Sequence, residues 1–297
     1  MAHIACVKPC QPEVSRGVTV AVANIRLAQR LKSGIERTAG RKGGIFLESK
    51  AKTLVVGLGE VGGALARVLE RTGPILKHDI ERRDFDEPIG VMHLCFPFVS
   101  KERFEQTSLA YIDRFKPDLT IINSTVIPGT TRAIASHSGG AVVFSPVRGK
   151  HVRMVHDLMR YCKFVAALDP MAATRAREHF HQAGMRTQLV ARPETLELAK
   201  LAETTYFGVI IAFAQELDRY ASATGADYNQ ACTFFDEIDY LPRSRYFPGV
   251  IGGHCVLPNI NLLLRVASSP FLEAVLDSNR RRAKEVRADD EPRKAAK

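Results

Sequence analysis

The sequence predicts an α/β chain in which a doubly wound, mainly parallel sheet is followed by a smaller all-helical domain. Short apolar runs of strand length alternate with helix-like segments from about residue 52 to about residue 190. A glycine-rich turn separates the first run from the first helix, and after Pro193 one long helical stretch reaches about Thr224. Strands alternating with helices form parallel sheets covered on both faces, because each crossover helix must pack back onto the sheet.

A length of 297 residues suits about two domains, and 45% hydrophobic with 25% charged residues is ordinary for a globular chain. The expected organisation is a basic extension over residues 1–50, a sheet domain over 51–190, a helical domain over 191–278 and a charged tail over 279–297. The extension carries one helical pattern, Val18 to Ile35, then the loop-like stretch Thr38 to Gly44. Thr53-Leu54-Val55-Val56 reads as the first strand and Ala64 to Arg71 as the first helix. Further strands are expected at Ile75–His78, Val91–Phe96, Leu119–Asn123, Ala141–Phe144 and Phe164–Leu168. Beyond Ser278 the charges, Ala and Pro predict a helix end that dissolves into disorder.

The net charge of +10 sits at the two ends. Residues 1–52 hold ten Lys/Arg against three Asp/Glu, residues 279–297 hold eight against four, and the interior is near neutral. A nucleic-acid partner is therefore not expected. Six cysteines without a CxxC pair argue against a disulfide framework or a zinc site and point to a reducing, cytoplasmic setting. The apolar stretch Tyr206 to Ala214 is far shorter than the ~20 residues of a membrane helix, so no membrane association is expected.

The turn Gly57-Leu58-Gly59-Glu60-Val61-Gly62 follows a strand and opens a helix, with Asp79 about 20 residues onward at the end of the next strand. In this context the pattern is a Rossmann-type dinucleotide fingerprint. Gly57 permits the tight turn, Gly59 lets the backbone approach a pyrophosphate, and Gly62 lets the helix pack close to the strand. Asp79 would accept hydrogen bonds from the adenosine ribose, which favours NAD over NADP, although Lys77, Arg82 and Arg83 nearby work against that choice. A glycine turn without any dinucleotide is the plainer alternative. Pro97, Ser124 and Thr125 complete the cofactor-binding set.

Four segments together resemble the UDP-glucose/GDP-mannose dehydrogenase family, which oxidises a nucleotide-sugar alcohol to the acid with two NAD. They are the glycine turn, Ser124-Thr125-Val126-Ile127-Pro128-Gly129-Thr130-Thr131, Glu197-Leu198-Ala199-Lys200-Leu201-Ala202 and Pro248-Gly249-Val250-Ile251-Gly252-Gly253-His254-Cys255. The resemblance spans about residues 52–265 and implies a sugar-nucleotide-like small-molecule substrate. It implies that Cys255 is the nucleophile, since an aldehyde cannot lose a second hydride until a group such as a thiolate adds to it. It makes Lys200 the base or oxyanion stabiliser and Thr125 the holder of a hydrolytic water. Without it, Cys255 reads as a structural cysteine, Lys200 as a helix lysine paired with Glu197 or Glu203, and Thr125 as a cap residue.

Three partners depart from the family pattern: Val147 stands where Glu is usual, Thr204 where Asn is usual and Asn259 where Asp is usual. Val147 cannot carry a proton and Asn259 cannot act as a base, which weakens thioester hydrolysis. The residues after the helical part are too few for the further nucleotide-gripping domain of that family. Two alternatives follow: a two-electron dehydrogenase of the β-hydroxyacid type, and a non-catalytic NAD-binding or scaffold protein. The long helix from Glu194 to Thr224 is apolar nearly all round in its middle, so it is expected to be buried on several faces and to pair with its twin in a homodimer.

Overall fold

The computed structural model describes residues 51–80, 85–236, 246–253 and 255–295. The basic extension with its expected helix, Arg82, Arg83 and His254 lie outside the described residues. Seven strands among them form one sheet: β1 (Lys52–Val56), β2 (Ile75–His78), β3 (Ile89–Leu94), β4 (Leu119–Ile122), β5 (Val142–Phe144), β6 (Lys163–Ala167) and β7 (Thr187–Val190). Their spatial order is β2-β1-β3-β4-β5-β6-β7. All neighbours are parallel except β5 and β6, which run antiparallel.

Side chains alternate across the sheet and feed two cores. Val55, Ile121, Val143 and Val165 point into one core, shared with α1 (Glu60–Leu69), α4 (Met154–Arg160) and α5 (Pro170–Gln182). Leu54, Val56, Met92 and Phe144 point into the other, closed by α2 (Lys101–Phe115) and α3 (Thr130–Ser138). Full burial of each Leu, Val or Phe contributes roughly 1.5–3 kcal/mol, which is why both faces must be covered.

The first helix begins at Glu60, four residues before its expected start, so Gly62 and Gly63 are helical and not part of a loop. The cause is close packing. Gly57 has φ +86, and a Cβ on Gly62 would lie 1.8 Å from the carbonyl oxygen of Gly57. Strand β7 was not legible as an apolar run, because it is a half-exposed edge strand of sequence Thr-Gln-Leu-Val.

The helical half consists of α6 (Pro193–Thr224), α7 (Tyr228–Asp236), α8 (Val256–Val266) and α9 (Pro270–Ala295). The expected loss of structure after Ser278 is corrected here, since α9 continues through the charged tail to Ala295. Its charges are paired with α6: Arg219 with Glu285 at 2.7 Å and Arg282 with Asp218 at 2.8 Å. Asn279, also buried, accepts from Gln215 at 3.2 Å. Among the described residues no helix is long and apolar enough to cross a membrane.

Substituting Gly62→Ala forces the turn apart. The expected loss is about 2 kcal/mol or more, a fall of roughly 4–8 °C in melting temperature, measurable by thermal unfolding.

Candidate functional site

A cavity of about 910 Å³ opens at the carboxyl ends of β1, β3 and β4, where the strand order reverses at β1. Ligands of open parallel sheets bind at such a point because the flanking loops part there. Gly57, Gly59, Glu60 and Val61 line it, as does Asp79 beyond β2. Gly62 stands behind the turn and does not line the cavity. Gly59 caps α1 without a side-chain hydrogen bond, and a Cβ there would meet nothing within 4 Å. The positive end of α1 therefore faces open space, an arrangement suited to a pyrophosphate.

The Asp79 carboxylate accepts from the Leu58 N–H at 3.2 Å and from the Ile80 N–H at 3.0 Å, yet the residue remains exposed. Each oxygen keeps a lone pair that ribose hydroxyls can use. Lys77 is held by Glu70 at 2.6 Å. An aromatic wall that periodicity did not reveal runs from Phe96 and Phe98 to Phe104 and Tyr111, with Phe96 and Phe104 rings 4.8 Å apart. Pro97 lies within this wall, and the Ser124 hydroxyl fixes it by donating to the Phe96 carbonyl at 2.6 Å. Glycine turn, carboxylate and aromatic wall are together of the chemistry that suits a dinucleotide.

Lys200 on α6, Cys255 at the start of α8, Asn259 one turn further and Thr125 after β4 all line this same cavity. The Lys200 side chain is 11% exposed, with its Nζ 3.4 Å from Glu203, an exposed carboxylate. Leu201 beside it is fully buried, whereas Leu198 is 48% exposed. Thr204 does not line the cavity, but its hydroxyl accepts from the Asn259 amide at 2.7 Å. Two of the three departures from the family pattern are thus bonded to each other. The third, Val147, is buried and lines the cavity as part of the apolar core. Among the described lining residues the carboxylates are Glu60 and Asp79, both at the end occupied by the glycine turn.

Glu197 has a task that sequence spacing did not suggest. It is fully buried, one turn before Lys200, and of the two acids expected beside that lysine it is Glu203 that pairs with it. Its carboxylate accepts from Gly129 N–H at 2.7 Å, Thr131 N–H at 2.8 Å and the Thr131 hydroxyl at 2.6 Å. It therefore caps α3 across a separation of 66 to 68 residues and ties the loop of Ser124 and Thr125 to the helix of Lys200. Burial pushes its carboxyl above the usual range, while the three donors act in the opposite direction.

Comparison with known proteins places this geometry. Residues 194–281 match the model of the UDP-glucose/GDP-mannose dehydrogenase family, central domain. Over this stretch the chain is similar to that family. It is 25% identical over 199 residues to a UDP-N-acetyl-D-mannosamine dehydrogenase of Methanocaldococcus jannaschii, a match covering 62% of this chain and 46% of that protein. The chain thus spans about half the length of this curated relative. Its fold is that of a UDP-D-ManNAc dehydrogenase from Pyrococcus horikoshii, with TM-score 0.65 at 22% identity over 77% of this chain and 68% of that one. A 3-hydroxyisobutyrate dehydrogenase of Mycobacterium tuberculosis shares it too, with TM-score 0.61 at 14% identity over 76% of this chain and 92% of that one.

Replacing Glu197 by Gln sets an amide N–H against backbone donors in the clamp. The expected cost is about 1–3 kcal/mol, read as a lower midpoint of urea unfolding.

Proposed function

We propose that this chain binds NAD and oxidises the primary alcohol of a sugar nucleotide, using Lys200 and Cys255. The observation that carries the reading is the single cavity shared by the glycine turn, Thr125, Lys200 and Cys255, with the first two supplied by the sheet and the last two by the helices. Gly57, Gly59 and Asp79 would hold the NAD, which supplies a hydride acceptor when bound. Lys200 takes up the hydroxyl proton or steadies the alkoxide left after its loss. Cys255 Sγ adds to the aldehyde carbon, and the resulting thiohemiacetal can give up a second hydride to become a thioester. Thr125 would position the water that cleaves it. The curated relatives make UDP-N-acetyl-D-mannosamine the first substrate to test.

A second reading, a two-electron oxidation ending at the carbonyl, draws support from the apolar Val147 and the uncharged Asn259. No carboxylate lines the cavity near the thiol among the described residues, and thioester cleavage benefits from a base. Counting the NADH formed per sugar separates the two, with two expected for the acid and one for the carbonyl product. Lys200→Met is expected to lower kcat on the order of a hundredfold or more, and Cys255→Ala to remove the second oxidation. Tight NAD binding with no reduced-nicotinamide absorbance on any sugar nucleotide or hydroxy acid overturns both and leaves the non-catalytic alternative.

Pairing of two copies along α6 belongs to the same proposal. Within one chain the helix is not buried all round, for Tyr206, Phe213 and Tyr220 are 57%, 61% and 69% exposed. Such an aromatic row suits a partner surface. Sedimentation at micromolar concentration is expected to report a dimer, and a monomer counts against the pairing.

A further inference from the structure

Behind the floor of the cavity, β6 carries a lysine that the chemistry above leaves unused. Lys163 is 4% exposed. Its Nζ donates to the Ser145 carbonyl at 2.6 Å, the Pro146 carbonyl at 3.1 Å and Asn123 Oδ1 at 3.1 Å, and it lies 5.1 Å from the centre of the Phe180 ring. All three ammonium protons thus have acceptors, yet none of these acceptors is a carboxylate. A buried cation with only neutral partners is unusual, since charge is normally paired when it leaves water.

Two of the groups that Lys163 orders sit against the cavity: Asn123 lines it, and Val147, which also lines it, follows the two bonded carbonyls. Asn123 is locked in turn, its Nδ2 donating to His93 Nδ1 at 3.1 Å and to the Ile121 carbonyl at 3.1 Å. His93 therefore carries its proton on Nε2, which donates to His179 Nε2 at 2.9 Å. The facing titratable groups are Cys95 and His93 on the β3 side, His179 on α5, Arg148 after β5 and Lys200 on α6.

Burial pulls Lys163 down to about 7, Lys200 and Arg148 reinforce the shift, and Cys95 opposes it. Burial also pushes the Cys95 thiol up to about 12, holds His93 well below its usual value and brings His179 to about 4. Of Lys163, Cys95, His93 and His179, Lys163 is the one that changes charge around neutral pH.

Hydride transfer requires the reactive ring of a bound nicotinamide cofactor to share the part of the cavity held by Thr125, Lys200 and Cys255, next to Asn123. We infer that Lys163 is a specificity-determining residue for the oxidation state of the cofactor, its buried ammonium opposing the positively charged oxidised ring while leaving the uncharged reduced ring unaffected. By linkage, binding the oxidised form expels the Lys163 proton. The inference rests on the NAD-binding reading of the cavity.

Calorimetric titration of NAD and NADH between about pH 6 and pH 8.5 tests it. For a unit charge within ~10 Å at an effective dielectric of ~20, NAD affinity is expected to rise about tenfold as Lys163 loses its proton, and NADH affinity to change less than about twofold. Near neutral pH, NAD binding is expected to release protons, seen as a heat that depends on the buffer's ionisation enthalpy. Lys163→Met should bind NAD tightly at every pH, Lys163→Arg weakly at every pH, and Lys200→Met should retain the rise. Equal pH profiles for NAD and NADH in the wild-type protein, or a rise that survives in Lys163→Arg or Lys163→Met, overturn the inference while the cofactor reading stands. If neither form binds, the cofactor reading falls and the inference falls with it. Should Lys163→Met not fold, the wild-type profile and the charge-retaining Lys163→Arg decide.

Discussion

A buried carboxylate ties the two halves of this molecule together beside the candidate site. Glu197, on the long helix, accepts three hydrogen bonds from the start of the helix that follows β4. Hydrogen bonds to a charged or partly charged buried acceptor are stronger than neutral ones and demand good geometry, so the clamp permits little sliding. One turn further along, Lys200 inherits that constraint, and six residues before the clamped threonine, Thr125 inherits it from the other side. The candidate site is in this sense suspended between two ends of one interaction.

Around that anchor the cavity divides into regions of different character. At one end are the glycine turn, the open helix terminus and an exposed aspartate, all suited to phosphate and ribose. At the other are an amine, a thiol and an amide, with valine where the relatives' pattern has an acid. The altered Thr204 and Asn259 are not independent changes, since one accepts a hydrogen bond from the other. With an amide where the pattern has an acid and a hydroxyl where it has an amide, the two residues form a satisfied polar pair without a base. Beneath the floor, Lys163 adds positive charge that no acid among its bonded partners offsets.

Local pattern and tertiary contact contributed differently to what could be read. Strands such as Ile75–His78 and the long helix ending at Thr224 announced themselves, because an apolar run or a glycine stop is written in consecutive residues. Edge strand β7 did not, because a half-exposed strand of four residues has no apolar signature. The charged tail suggested disorder, and the structure pairs its Arg281 and Arg282 with Glu216 and Asp218 on the long helix, sixty or more residues away.

By itself the sequence determined the alternation of strands and helices, the glycine turn with its acidic companion, and the residue types available for redox chemistry. All of these are properties of neighbouring residues or short spacings. Only the tertiary structure decided that Lys200 and Cys255 open on the same cavity as the turn, that Glu197 caps a distant helix, and that Lys163 is sealed among carbonyls. Each of those depends on burial and on hydrogen-bond geometry between segments far apart in the chain, and such relations take definite values only once the sheet and helices have packed.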